Sequence, residues 1–122
     1  MYTMSEECSV RKSVNFLGKR WTLLILLELY KGESEWKRFS QIKKNLDNIT
    51  PKVLSMRLKE LKIENLIENR VNAVEIPIKS EYRLTKIGKD FINVIKNIKK
   101  WSLKWVKKNK ICKETDCKDC EF

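Results

Sequence analysis

At 122 residues the chain has room for one ordinary domain and not for two. Apolar residues make up 42%, enough for one modest core, and 27 Lys and Arg against 16 Asp and Glu leave a formal net charge of +11, which favours a polyanionic partner or an acidic membrane surface unless the lysines serve solubility alone. There is no histidine, and the three glycines, Gly18, Gly32 and Gly88, stand apart; this removes the commonest general base, the Ser-His and Cys-His nucleophile systems and any glycine-rich phosphate loop, so an enzyme is not expected.

The opening MYTMSEECSV lacks the apolar stretch of a secretory signal. The longest apolar run, Leu23 to Leu27, falls far short of the roughly 20 residues a membrane span needs. A cytoplasmic protein with no membrane partner is expected. Ser9 is suited to cap a first helix through Leu17, with Val10, Val14 and Leu17 on one face and Gly18 as its stop. A second helix runs from about Arg20 to Tyr30. Its segment WTLLILLEL is apolar almost all round, which marks a buried central helix. Glu33 to Arg38 is read as a polar loop carrying one tryptophan.

Ser40 is placed to cap a short third helix with Ile42 and Leu46 turned inward. Asn48 to Pro51 form a turn and a restart, Thr50 as N-cap and Pro51 at the first helical position. The fourth helix, Pro51 to about Glu64, carries Leu54, Leu58 and Leu61 on one stripe, and the pair makes a helix-turn-helix. At 100° per residue Lys52, Met56 and Lys59 fall opposite the leucines, Ser55 lies beside them and Arg57 sits nearer the core flank. Ammonium and guanidinium groups contact phosphates or guanine edges, hydroxyls read either, and an apolar group touches a thymine methyl. Thr50 and the unpaired first-turn N–H groups suit a backbone phosphate. Taken alone, the helix is equally readable as an ordinary amphipathic helix with a solvated face.

Asn65 to Val71 and Ser80 to Thr85 flank NAVEIPIK and read as a hairpin with a loose tip, Pro77 excluding a central strand there. Arg70, Lys79 and Arg83 lie on or beside it, so a basic hairpin follows the helix-turn-helix and is placed to reach flanking backbone or minor groove. A final helix is expected from near Thr85 to about Asn109. Leu84, Ile87, Phe91, Val94, Ile98, Trp101 and Trp105 follow alternating steps of 3 and 4, a heptad stripe. So long a stripe exceeds what a small domain covers by itself, and a second copy of the chain is the natural cover. The seven lysines from Lys96 to Lys110 either extend a DNA footprint or form a solvated face.

Three segments together resemble the HxlR-type (MarR/HxlR-like) winged-helix regulators: CSVRKSVNFLGKRWTLLILLEL, RFSQIKKNLDNITPKVLSMRLKELKIENLIE and SEYRLTKIGKDF. The likeness covers about Cys8 to Trp105. It departs from the family pattern at Ser9 and Lys19, in the longer loop Glu33 to Arg38 and in the Cys-rich tail. The resemblance implies a mainly α winged helix-turn-helix with a small β-hairpin, dimerising through the N-terminal and long C-terminal helices. It implies a homodimeric, double-stranded-DNA-binding transcriptional regulator with an oxidant or small-molecule effector, some members sensing through the N-terminal cysteine. The alternative is a winged-helix module for protein–protein contact.

Residues 1–110 are thus read as the DNA-binding and dimerising unit and 111–122 as a Cys-rich tail, expected to be poorly ordered without a ligand. Cys8 matches the sensing position; Arg11 and Lys12 favour a thiolate there, Glu6 and Glu7 oppose it, and the alternative is a packed, unreactive thiol. Cys112, Cys117 and Cys120 have spacing suited to zinc but lack a fourth ligand, so disulfides between tails or free thiols stand beside metal as readings.

Overall fold

The computed structural model describes residues 8–72, 74, 76, 79–106 and 109–120. Helices α1 (Ser9–Leu17) and α2 (Thr22–Tyr30) are followed by a two-residue strand, β1 (Lys37–Arg38), then by α3 (Phe39–Asn45) and α4 (Pro51–Ile63). Strands β2 (Ile67–Asn72) and β3 (Lys79–Leu84), helix α5 (Lys86–Trp105), a short α6 (Lys110–Glu114) and a 3-10 turn (Cys117–Asp119) follow among the described residues. The sheet has three strands in the order β1-β3-β2, both pairs antiparallel, with Lys37 opposite Tyr82 and Ile67 opposite Leu84. The tip proline, Pro77, lies outside the described residues.

The core forms where the apolar faces of α2, α3, α4, the hairpin and α5 converge. Ile25, Leu26 and Leu29 of α2 meet Ile42, Leu46 and Ile49 around the helix-turn-helix turn, Leu54, Leu58 and Leu61 of α4, Leu66, Ile67 and Leu84 of the hairpin, and Ile92 and Ile95 of α5. The largely apolar α2 is the element the others surround. In the turn between α3 and α4, Asn48 takes φ +72°, a left-handed conformation that asparagine tolerates. Thr50 caps α4 through Oγ1, which accepts from the Val53 N–H at 3.2 Å, with Pro51 next.

Several expectations are corrected. Cys8, not Ser9, is the N-cap of α1, its Sγ accepting from the Arg11 N–H at 3.5 Å. Helix α2 begins at Thr22, because Trp21 adopts φ +82° and cannot be helical. Arg38 is the N-cap of α3, so Ser40 lies inside that helix. The loop from Glu33 contains β1, because Lys37 is buried and its ammonium donates to the carbonyls of Glu28 and Lys31 at the end of α2. That contact satisfies helix-terminal carbonyls that would otherwise lack a donor.

Helix α5 starts after its cap Thr85, whose Oγ1 accepts from the Gly88 N–H at 3.1 Å, and ends at Trp105 rather than Asn109. The heptad stripe is not what α5 buries. Gly88, Ile92 and Ile95 are its buried positions, Phe91 is half-buried, and Ile87, Val94, Ile98, Trp101 and Trp105 are exposed. The tail is folded, not loose. Asp116 accepts from the Tyr30 hydroxyl at 3.2 Å and pairs with Lys96 at 3.0 Å; the Thr115 carbonyl accepts from Lys99 at 2.5 Å and the Lys118 carbonyl from the Gly32 N–H at 2.8 Å. The Lys118 N–H and then Lys96 hold the Asp116 carboxyl below its ordinary range, while the Tyr30 hydroxyl and then Asp116 raise Lys96.

Candidate nucleic-acid interface

On α4 the three leucines are buried while Pro51, Lys52, Ser55, Met56 and Lys59 are exposed together, with Thr50 at the head of the helix. The first turn contains no acid. This face presents two ammonium groups, a hydroxyl and a thioether beside the positive end of a helix. Arg57 does not join it. Its Nε donates to the Arg20 carbonyl and its Nη1 to Glu60, both at 3.0 Å, and Lys19 reaches Glu60 at 3.2 Å. Arg57 therefore ties α4 to the turn before α2. The angular position of Arg57 near the core flank was the one signal in the sequence for this.

The hairpin's basic residues divide in the same way. Trp36, from the loop before β1, is faced by two guanidiniums, Arg70 at 4.2 Å and Arg83 at 4.4 Å from its ring centre. Arg83 also bonds Glu68 and Glu35, the bond to Glu68 being the main cause that raises its pKa. Arg70 bonds Glu81 at 3.1 Å and keeps an exposed side chain. Lys79 lies opposite Asn72, the last pair of the hairpin before its connecting loop. Arg83 thus braces the base of the wing, whereas Arg70 and Lys79 stand farther out along it. The sequence missed Trp36, because the stacking depends on β1 pairing with β3 across 45 residues between Lys37 and Tyr82.

Of the cysteines, Cys8 heads α1 and is partly accessible. Cys112, Cys117 and Cys120 are partly accessible and take part in no disulfide among the described residues. Among the described residues no group of three or more potential ligands is gathered for a metal. The extended Thr115 and Asp116 separate Cys112 on α6 from the 3-10 turn that holds Cys117. Among the same residues no helix is long and apolar enough to cross a membrane.

A helix-turn-helix with a basic outer face, followed directly by a β-hairpin that β1 extends to a three-stranded antiparallel sheet, defines a winged-helix DNA-binding protein. The profile of the HxlR-like helix-turn-helix family matches residues 16–110, and the chain belongs to that family. It is 40% identical over 103 residues to the HTH-type transcriptional regulator YvaP of Bacillus subtilis, covering 84% of this chain and 92% of that one. Its fold is similar to that of a MarR-family transcriptional regulator from Porphyromonas gingivalis, with a TM-score of 0.74 at 30% identity over 87% of this chain and all of the other. It is also similar to the reduced transcriptional regulator YodB of B. subtilis, with a TM-score of 0.69 at 33% identity over 84% of this chain and 97% of that one. YodB has further structures in diamide-treated and quinone-bound form. The protein is a transcriptional regulator and not an enzyme. Cys8 and the tail beyond Lys110 lie outside the matched segment.

Proposed function

We propose that the protein acts in the cytoplasm as a homodimer on double-stranded DNA, each protomer laying α4 in the major groove of one half of a pseudo-palindromic operator. Half-sites would lie about 34–36 Å, or a multiple of this, apart. Residues 1–110 form the reading and dimerising unit, and 111–122 are an appended segment. The observation that carries this reading is the outward face of α4, where Lys52, Ser55, Met56 and Lys59 are exposed behind the Thr50 cap. Arg70 and Lys79 of the wing supply flanking phosphate contacts, and Arg57 and Arg83 hold the two elements in pose. Dimerisation is supported by the exposed apolar surface that α1 offers at Val10 and Val14 and α5 at Val94, Ile98, Trp101 and Trp105.

The operator is recovered by selection from pooled duplexes, and binding is measured by fluorescence anisotropy. Lys52→Ala and Lys59→Ala are each expected to cost about 1–3 kcal/mol of operator affinity without unfolding the chain. Unchanged affinity in both variants removes the assignment of α4. A selection that enriches no sequence, beside a stable protein partner, marks a protein–protein module instead. The effector class is an oxidant or electrophile acting at Cys8. Its sulfur caps the N-terminus of α1 and is partly accessible, and the similar YodB is known in diamide-treated and quinone-bound forms. Cys8→Ser should keep operator binding and lose its response to diamide; a retained response excludes Cys8.

A further inference from the structure

The folded tail creates a concave surface that neither the reading helix nor the wing shares. After Asn109 the chain turns back, so that α6 faces the second half of α5 across a cleft of about 980 Å³. Lys96, Lys99, Lys100 and Lys104 line it from α5, Lys110 and Lys113 from α6, with Glu114 and Asp116 as the acids and Leu103 as an apolar patch. The fold itself uses part of this charge. Lys96 pairs with Asp116, and Lys99 donates to the Thr115 carbonyl. Lys104 lies over the ring of Trp105 at 5.1 Å. Among the described residues the ammonium groups of Lys100, Lys110 and Lys113 take no ion pair. Four lysines from two elements therefore converge on one concavity in which Glu114 is the remaining acid.

Converging like charges repel one another and raise the local concentration of counter-ions, most strongly where the surface is concave. The lysine ammonium is a compact point charge well suited to phosphate oxygens. The cleft is at the upper end of the size range of small-molecule sites, about 300–1,000 Å³. We propose that it binds a small, multiply charged phosphate-class anion, held between Lys100 and Lys104 on one wall and Lys110 and Lys113 on the other. Such a ligand ties the tail to α5, the helix that carries the exposed tryptophans, so its occupancy is linked to the surface that we assign to dimerisation. The site itself does not depend on that assignment or on DNA reading.

The test is isothermal titration of the full chain with inorganic tripolyphosphate at about 0.1 M ionic strength, where screening removes diffuse attraction beyond about 10 Å. Orthophosphate and sulfate serve as further arms. Tripolyphosphate should saturate at one per protomer and bind more tightly than either. Lys100→Glu/Lys113→Glu should weaken it at least tenfold, and Lys100→Gln/Lys113→Gln should weaken it in the same direction. Lys86→Glu, at the other end of α5, should leave it unchanged, with circular dichroism showing all variants folded. Equal affinity in the cleft variants, or heat that never saturates and follows only ionic strength, overturns the proposal. So does a wild-type chain that ignores tripolyphosphate while the same variants lose affinity for random duplex DNA, since the cleft would then belong to the DNA track.

Discussion

Replacing Trp101 tests the proposed dimer most directly. Trp101 is 59% exposed in the single chain. A tryptophan presents up to about 250 Å², so about 150 Å² of this side chain is left for a partner to cover. At about 25 cal/mol per Å² that cover contributes about 3.7 kcal/mol per protomer as an upper figure. Alanine keeps some contact and the cover is incomplete, which lowers the loss to about 2 kcal/mol per protomer. A two-fold interface feels the change twice, so Trp101→Ala should weaken the dimer by about 4 kcal/mol, about a thousandfold in Kd. Sedimentation equilibrium across a concentration series reads this directly. The control is Ile63→Ala, a residue as exposed at 67% but placed at the end of α4, away from the stripe. A wild-type chain still monomeric at about 100 μM refutes the reasoning, as does a Trp101→Ala chain with the wild-type Kd.

Gly88→Ala separates local from tertiary effects. Helix propensity alone gives a gain of about 1 kcal/mol, but a Cβ at Gly88 would collide with the Leu66 carbonyl oxygen, fixed by the Thr85 N–H at 3.0 Å. Chemical denaturation should therefore show a net loss of about 1–3 kcal/mol. Lys37→Met leaves two carbonyls at the end of α2 without their donor and should cost about 1–3 kcal/mol near neutral pH. Burial lowers the Lys37 pKa from 10.5, so the folded chain releases that proton first. Wild type should then gain stability over the variant as pH rises from the depressed value toward 10.5; a gap in melting temperature that does not widen counts against this. Asp116→Asn should loosen the tail and speed alkylation of Cys112, Cys117 and Cys120. Because the Asp116 carboxyl is held below its ordinary 3.8, its stabilising share is present above that value and is lost as pH falls through the depressed one. Tail amide NMR shifts should move over that acid range and not in Asp116→Asn.

The helix-turn-helix was legible because its signals are local. Thr50 and Pro51 set the start of α4, and the leucine spacing sets its buried face. The hairpin strands were legible for the same reason. Which charges remain outside was not. Lys52 and Arg57 differ little as residues, yet Arg57 is bound to the Arg20 carbonyl, more than thirty residues back along the chain. Arg83 likewise depends on Glu35 and Trp36, which meet it only when β1 joins the sheet.

By itself the sequence determined the order of the five longer helices and the hairpin, the buried α2, the basic face of α4 and the heptad stripe on α5, since period and capping depend on neighbours within a few residues. Only the tertiary structure decided that α5 buries Gly88, Ile92 and Ile95 and leaves Ile87, Val94, Ile98, Trp101 and Trp105 of the stripe open. It alone made Lys37 a buried cap for α2 and Cys8 the cap of α1. It also turned a charged tail into a docked one, because Asp116 finds Tyr30 and Lys96 from elements far apart in the chain. Partners distant in sequence leave no periodic trace, so the division of charge between framework and surface is settled only when the chain closes on itself.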